Sequence, residues 1–402
     1  MSEVSKTVSA LLAYCRANDW AGYDPYDALN SKLFGALPFL DFKASRIALT
    51  QALKRSPVNL RSLLFVPKTK NPKALALFLS SLLKLHKLGL VRKGDLSLTI
   101  ADELISLRSA GEKYSCWGYS FPWQTRTVKV PRGAPNLVCT TFVASSLLDA
   151  HDELDQARFL EIALSAGEYL VNELYYTESD RVASFHYPLP TSKAKVHNAN
   201  FLAAALLSRL FYLTGDARFL VPALAAARYS VSRQNHDGSW SYGESSSQQW
   251  IDNFHTGYNL CALRAIAQYA KTSEFDANIR NGFQFYRNHF FREDGAPRYF
   301  HDRTYPIDVH CIAQSILTLL EFQDLDQTAV ELAGTVYHWA MKNMWSEAGF
   351  FYYRKLRTLT IRTSYIRWSQ AWMLLALTRL LEEEMKETPL PGSDRPMTIA
   401  VA

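Results

Sequence analysis

The chain has 402 residues, of which 48% are hydrophobic, 20% charged and 13% aromatic, and it carries a formal net charge of +6. That is the make-up of a folded globular protein with one large domain or two ordinary ones. The charge is too mild to argue for nucleic acid, no RNA-binding signature is visible, and no apolar run approaches the ~20 residues of a membrane-spanning helix.

The first 40 residues read as a capping helix followed by a loop, "WAGYDPYDALNSKLF". The N-terminus lacks the basic start and apolar stretch of a signal peptide. Five cysteines (Cys15, Cys116, Cys139, Cys261 and Cys311) show no CxxC spacing, and Cys139, Cys261 and Cys311 fall in apolar helical runs. They are expected to be reduced core thiols, which points to a cytoplasmic protein.

Next, "DFKASRIALTQALKR" suits an outer, water-facing helix and "NPKALALFLSSLLKLHKL" an inner one, with Asn71 and Pro72 as a helix start. From residue 115 onward the same grammar repeats. A charged amphipathic helix such as "DARFLVPALAAARYSVSRQ" is followed by a Gly turn, a short aromatic loop and a helix that is apolar almost all round. The five joints fall near 140, 197, 252, 308 and 365, steps of 57, 55, 56 and 57 residues. With the N-terminal unit this makes six outer–inner pairs: an all-α (α/α)6 toroid over residues 1–385, and a polar, Pro- and Gly-rich tail over 386–402 expected to be disordered. No strand-period segment is longer than a loop hairpin.

In such a ring the inner helices all point one way, so the joints gather at one mouth. Expected there as catalytic candidates are His197, Asn198, Asp252, Asn253, His255, Asp308, His310 and Tyr365. Expected as substrate-binding candidates are Trp117, Tyr119, Trp123, Gln124, Arg126, Asn200, Trp250, Tyr305, Arg354, Arg362, Arg367, Trp368 and Gln370. Against this stands a plainer reading: Asp252, Asp308 and Thr140 are helix N-caps, each contributing about 1 kcal/mol to its helix. Charge placement adds that residues 43–94, 114–148 and 348–381 contain no Asp or Glu but many Lys and Arg. A basic mouth draws anions. Arginines interleaved with aromatics suit an acidic sugar chain, whose rings stack and whose carboxylates accept guanidinium forks.

"QNHDGSW", residues 234–240, resembles the Q-x-x-D-G-x-W turn of the terpenoid cyclase and protein prenyltransferase toroids. The D-x-D-D motif of protonating cyclases is absent, as is the Asp, Cys and His zinc set of the prenyltransferases. The chain as a whole resembles a group of bacterial toroid proteins linked to surface-polysaccharide biosynthesis, through "YDPYDALNSKLF", "KRSPVNLR", "VHNANFLAAALL", "WIDNFHTGYNL" and "YPIDVHCIAQ". That resemblance implies a toroid and a saccharide context, with polysaccharide-assembly proteins as partners, and names no reaction.

Three functions stay open. The first is β-elimination or C5 epimerisation on a uronate. It needs Asn, Gln or Arg on the carboxylate and a base–acid pair, for which similarity to toroid polysaccharide lyases implies Asn198 or Asn253, His197 or His255, Tyr365 and Arg367. The second is glycoside hydrolysis by Asp252 and Asp308, with a neutral-sugar epimerase using His255 and His310 as a variant. The third is a non-catalytic saccharide binder. No cofactor is expected. Asp252/His255 and Asp308/His310 are spaced only loosely for zinc.

Overall fold

The computed structural model describes residues 2–92 and 94–387. Fourteen α-helices form among these residues: α1 (Glu3–Ala17), α2 (Lys32–Gly35), α3 (Lys43–Arg55), α4 (Pro72–Lys87), α5 (Asp95–Ser106), α6 (Leu137–Leu154), α7 (Ala157–Tyr169), α8 (His197–Thr214), α9 (Ala217–Val231), α10 (Asn253–Tyr269), α11 (Asp276–His289), α12 (Val309–Glu321), α13 (Ala329–Met344) and α14 (Ala371–Glu387). Helices α4, α6, α8, α10, α12 and α14 each pack on the next, and α14 closes on α4. Helices α5, α7, α9, α11 and α13 each cover the inner helix that precedes them. This is the (α/α)6 toroid.

Burial separates the two rings, as the sequence pattern requires. Inner α12 buries eleven of its thirteen residues, whereas outer α11 buries five of fourteen, on one face. The sixth outer helix differs from the expectation. It is α1, which packs on α14 and reaches α13 through Thr7 Oγ1 and Tyr337 Oη, 3.0 Å apart. Its apolar stripe (Val4, Val8, Leu11, Leu12, Cys15) recurs at helical spacing and is fully buried. Residues 43–55 do form a helix, α3, but only Thr50, Leu53 and Lys54 are buried. So narrow a stripe cannot cover an inner helix, and α3 lies instead against residues 27–30 and 123–124 beside the mouth. Chain entry and exit thus pack together, and the ring is closed by its own ends.

The Gly turn between α9 and α10 has a specific job. Gly238 sits at φ +91°, and a Cβ there would lie 2.3 Å from the Asn281 carbonyl oxygen. Asp237 Oδ1 accepts from the Ser239 amide, and Trp240 Nε1 donates to the Ser230 carbonyl. The turn therefore locks α9, α11 and the loop into α10 together; it is a device of the fold.

The strands are all short loop elements among the described residues, the longest being Tyr175–Ser179 paired with Val182–Phe185. One three-stranded sheet matters for the site. It sets Ile307–Asp308 beside Arg354–Lys355, with Arg354 opposite Asp308. The expected boundary at residue 385 falls within α14, which runs to residue 387; the tail expectation for 388–402 lies outside the described residues. No described helix is long and apolar enough to cross a membrane. The five cysteines are free thiols, with Cys15, Cys116, Cys139 and Cys311 buried.

Candidate active site

A cavity of about 850 Å³ opens among the inner-helix N-termini, within the size range of small-molecule sites. Its chemistry is built at three of the joints.

At the α10 joint, Asp252 is the N-cap. Its Oδ1 accepts from the His255 amide at 3.0 Å. Its Oδ2 accepts from His255 Nδ1 at 2.7 Å and from Trp250 Nε1 at 2.9 Å. One carboxylate therefore caps the helix and fixes the imidazole tautomer, with the proton on Nδ1 and the Nε2 lone pair left open to the cavity. The Asp252 side chain is 1% exposed and that of His255 20%, so the acid is sealed and the imidazole is reachable. Trp250 stacks on Tyr242 at 4.5 Å, with the Arg126 guanidinium 4.8 Å from the indole centre. Arg126 is in turn held by the Ser247 carbonyl.

At the α12 joint, Asp308 is again the cap, accepting from the His310 amide at 2.9 Å. The same Oδ1 takes the Trp368 indole N–H at 2.8 Å. Oδ2 receives Arg354 Nε at 2.8 Å and a terminal guanidinium nitrogen at 2.6 Å. Both oxygens are committed and the side chain is fully buried. His310 turns away from this carboxylate, and its Nε2 lies 2.5 Å from the Tyr258 hydroxyl. Burial first, with the Arg367 charge adding to it, holds His310 well below the usual imidazole pKa. Burial also holds the Tyr258 phenol well above its ordinary value. The pair is therefore neutral: an intact phenol against an intact imidazole.

At the α14 joint, residues 366–370 form a π-turn before the α-helix begins, with the Gln370 amide reaching back to the Tyr365 carbonyl at 3.1 Å. The extra residue in the turn brings Arg367 and Trp368 together onto the cavity wall. Arg367 forks onto Asp24 of the N-terminal loop at 2.7 and 2.8 Å, and its guanidinium lies 4.7 Å from the Tyr119 ring centre.

Of the expected residues, the cavity is lined by Tyr119, Trp123, Arg126, Asn198, Trp250, Asp252, His255, His310, Arg367 and Trp368. Asn198 is buried, and its Oδ1 has no hydrogen-bond partner. The others go elsewhere. His197 faces Ser230 of α9 at 3.4 Å, and burial depresses its pKa to about 4. Asn200 accepts from Ser184 and the Phe185 amide and donates to Ser230. Asn253 bridges Ser315 and Tyr286. Tyr365 is buried with the Arg61 guanidinium 4.7 Å from its ring centre. Trp117 is buried, donating to the Leu104 carbonyl. Gln124 holds Arg46, Gln370 bonds the Phe351 backbone in both directions, and Arg354 is spent on Asp308. Tyr305 and Arg362 lie outside the cavity wall, the latter with its guanidinium 5.4 Å from the Tyr352 ring centre.

The reason is rotation about the helix axis. Successive residues are ~100° apart, so of His197, Asn198 and Asn200 only the middle one faces inward. Thr140 is not a cap either: Asn136 Oδ1 caps α6 through the Cys139 amide, and Thr140 accepts from the Trp117 amide. The expectation passed over Tyr258 and Lys73, both on the cavity wall. Tyr258 could have been found by stepping three residues from His255 along the same face. Among the described residues no three His, Cys, Asp or Glu side chains are grouped as metal ligands would be.

No protein-family model matches the chain, and no curated protein matches it. Solved structures do. Cellobiose 2-epimerase from Bacillus thermoamylovorans aligns with a TM-score of 0.60 at 9% identity, covering 80% of this chain and 90% of that one. A GH76 alpha-mannanase from Bacteroides thetaiotaomicron aligns at 0.59 and 12%, covering 79% and 87%. The Lin0763 protein from Listeria innocua aligns at 0.59 and 12%, also covering 79% and 87%. At these identities the likeness establishes the (α/α)6 toroid fold.

Proposed function

We propose that the protein is a carbohydrate-active enzyme that moves a proton at a sugar carbon next to a carbonyl or carboxylate, in the manner of an epimerase or lyase. The observation that carries this reading is the Asp252–His255 dyad, with Nε2 open to an aromatic-walled cavity that also holds the neutral His310–Tyr258 pair. His255 is the base: Asp252 holds its tautomer and stabilises the imidazolium that forms when Nε2 takes the proton. The Tyr258 phenol, backed by His310, is the second proton carrier. Trp250 and Trp368 give the cavity wall an aromatic surface suited to the apolar side of a sugar. Solved toroids of similar fold that act on saccharides, cellobiose 2-epimerase among them, lend support to the class and none to the residues.

Hydrolysis by Asp252 and Asp308 draws no support from this geometry. Each carboxylate has both oxygens occupied by protein donors, so neither is free to protonate a glycosidic oxygen. The free thiols suit a reducing compartment, and we place the protein in the cytoplasm on that ground.

The test is deuterium exchange. The protein is incubated in heavy water with a panel of reducing sugars and uronate oligosaccharides, and carbon-bound deuterium is read by NMR together with the ultraviolet band of unsaturated uronates. Deuterium gain or an unsaturated product, abolished in His255→Asn, is the expected result. No change on any sugar, with sugar binding intact, would make the protein a saccharide binder.

A further inference from the structure

Lys73 is the group that the proton-transfer chemistry leaves without a task. It lies in the first turn of α4, where its amide is capped by Asn71 Oδ1. Its side chain then runs inward to the cavity wall and is 3% exposed. The amine lies 4.0 Å from the ring centre of Phe142, 5.2 Å from that of Trp372 and 5.3 Å from that of Tyr258. Among the described residues it has no hydrogen-bond acceptor and no carboxylate partner. The charged groups of this molecule show what is unusual here. Arg367 has Asp24, Arg61 has Asp27 and Arg354 has Asp308, each within 2.8 Å. A cation taken out of water without a counter-ion is costly, and three aromatic faces offset only part of that cost.

We propose that Lys73 is the anion-recognition residue of this cavity, and that its missing partner is a carboxylate carried by the sugar substrate. The inference deepens the proton-transfer reading by naming a uronate-class substrate, and it rests on that reading for the identity of the ligand as a sugar. Nearby groups fit an anion that arrives from outside. Arg367 adds a second positive charge, although Asp24 already neutralises it. Cys139 stays a thiol, raised to about 12 by burial. His310 and Tyr258 are neutral. Asp24 is the fixed carboxylate whose charge reaches the amine, and both of its oxygens are taken by Arg367. A carboxylate bound at Lys73 would sit near the Tyr258 ring, in the cavity that His255 also lines. A carboxylate held there would also acidify the adjacent C–H bond by stabilising the charge that builds on it.

The empty site has a second property. Burial, and after it the Arg367 charge, holds the Lys73 amine well below its ordinary pKa. An arriving carboxylate favours the ammonium form, so binding should draw a proton from solution.

The experiment is isothermal titration of the full chain with glucuronate and with glucose, in two buffers of different ionisation enthalpy. Glucuronate should bind at least about tenfold more tightly than glucose, with net proton uptake that glucose does not cause. Lys73→Met, which keeps the length of the side chain and removes a buried charge, should erase both the preference and the uptake. His255→Asn should lose deuterium exchange yet keep the preference, which separates failure of the reaction from failure of this subsite. Equal or absent binding of the two sugars by the unaltered protein would overturn the proposal, as would a Lys73→Met protein that still prefers glucuronate.

Discussion

Helices α10 and α12 begin with nearly the same letters, Asp252-Asn-Phe-His255 against Asp308-Val-His310, and both aspartates cap their helices. The outcomes diverge because of what faces each cap. Asp252 looks across at its own His255 and at Trp250, so its second oxygen is free to orient an imidazole. Asp308 lies beside the strand at Arg354–Lys355, and the guanidinium takes that second oxygen instead. Denied the carboxylate, His310 turns to Tyr258. One joint becomes an imidazole held by its own cap and the other a sealed ion pair with a neutral imidazole beside it. At Asp252 one carboxylate therefore both caps a helix and holds an imidazole, while both oxygens of Asp308 are taken by the cap, the indole and the guanidinium.

The contrast can be broken most sharply at His255. His255→Asn keeps a polar side chain of similar reach but has no titrating nitrogen. It should lower proton exchange by about 10²–10⁴-fold while leaving the urea unfolding midpoint nearly unchanged. The opposite pattern is expected at the other joint: Asp308→Ala strands a buried guanidinium and should cost about 3–5 kcal/mol of stability, measured by urea unfolding. A stable Asp308→Ala protein that had lost only activity would reverse the assignment of roles.

His197, which begins α8 in the equivalent place, offers a comparison in pH. Its folded pKa of about 4 lies below the ordinary 6.5, so the unfolded chain binds its proton first. Stability from this residue is fully present above pH 6.5 and falls as pH drops from 6.5 to 4, by about 3 kcal/mol in all. His197→Phe should flatten that part of the stability curve, read from unfolding midpoints across the window; an unchanged slope would mean that the imidazole is not buried neutral. A loss confined to exchange, of up to about 10⁴-fold, is expected for Asp252→Asn. The amide oxygen still caps α10, so stability should hold within about 1 kcal/mol. The anion that fixes the His255 tautomer is gone, and exchange should suffer alone.

The period of 55 to 57 residues and the alternation of amphipathic with all-apolar helices were enough to specify five inner helices, two rings and a common mouth, and the Asn71–Pro72 start added the sixth inner helix. Apolar spacing settles that much, because each helix must bury its stripe and identical units bury it in the same way. The aspartate caps were legible for a similar reason, since an N-cap is satisfied within three residues of itself. The partner of α14 was not legible: that α1 rather than α3 completes the outer ring depends on chain ends more than 350 residues apart meeting in space. Nor was the facing of the joints. His197 and Asn253 look as catalytic as His255 in a one-dimensional reading, and a rotation of ~100° per residue turns them into the packing between rings, while Tyr365 packs against Arg61 and Tyr353. Sequence alone determined that the starts of the inner helices would share one mouth. Tertiary structure decided which side chains reach it, because the open lone pair on His255, the arginine that closes Asp308 and the lysine left without a partner each depend on residues from other turns of the ring.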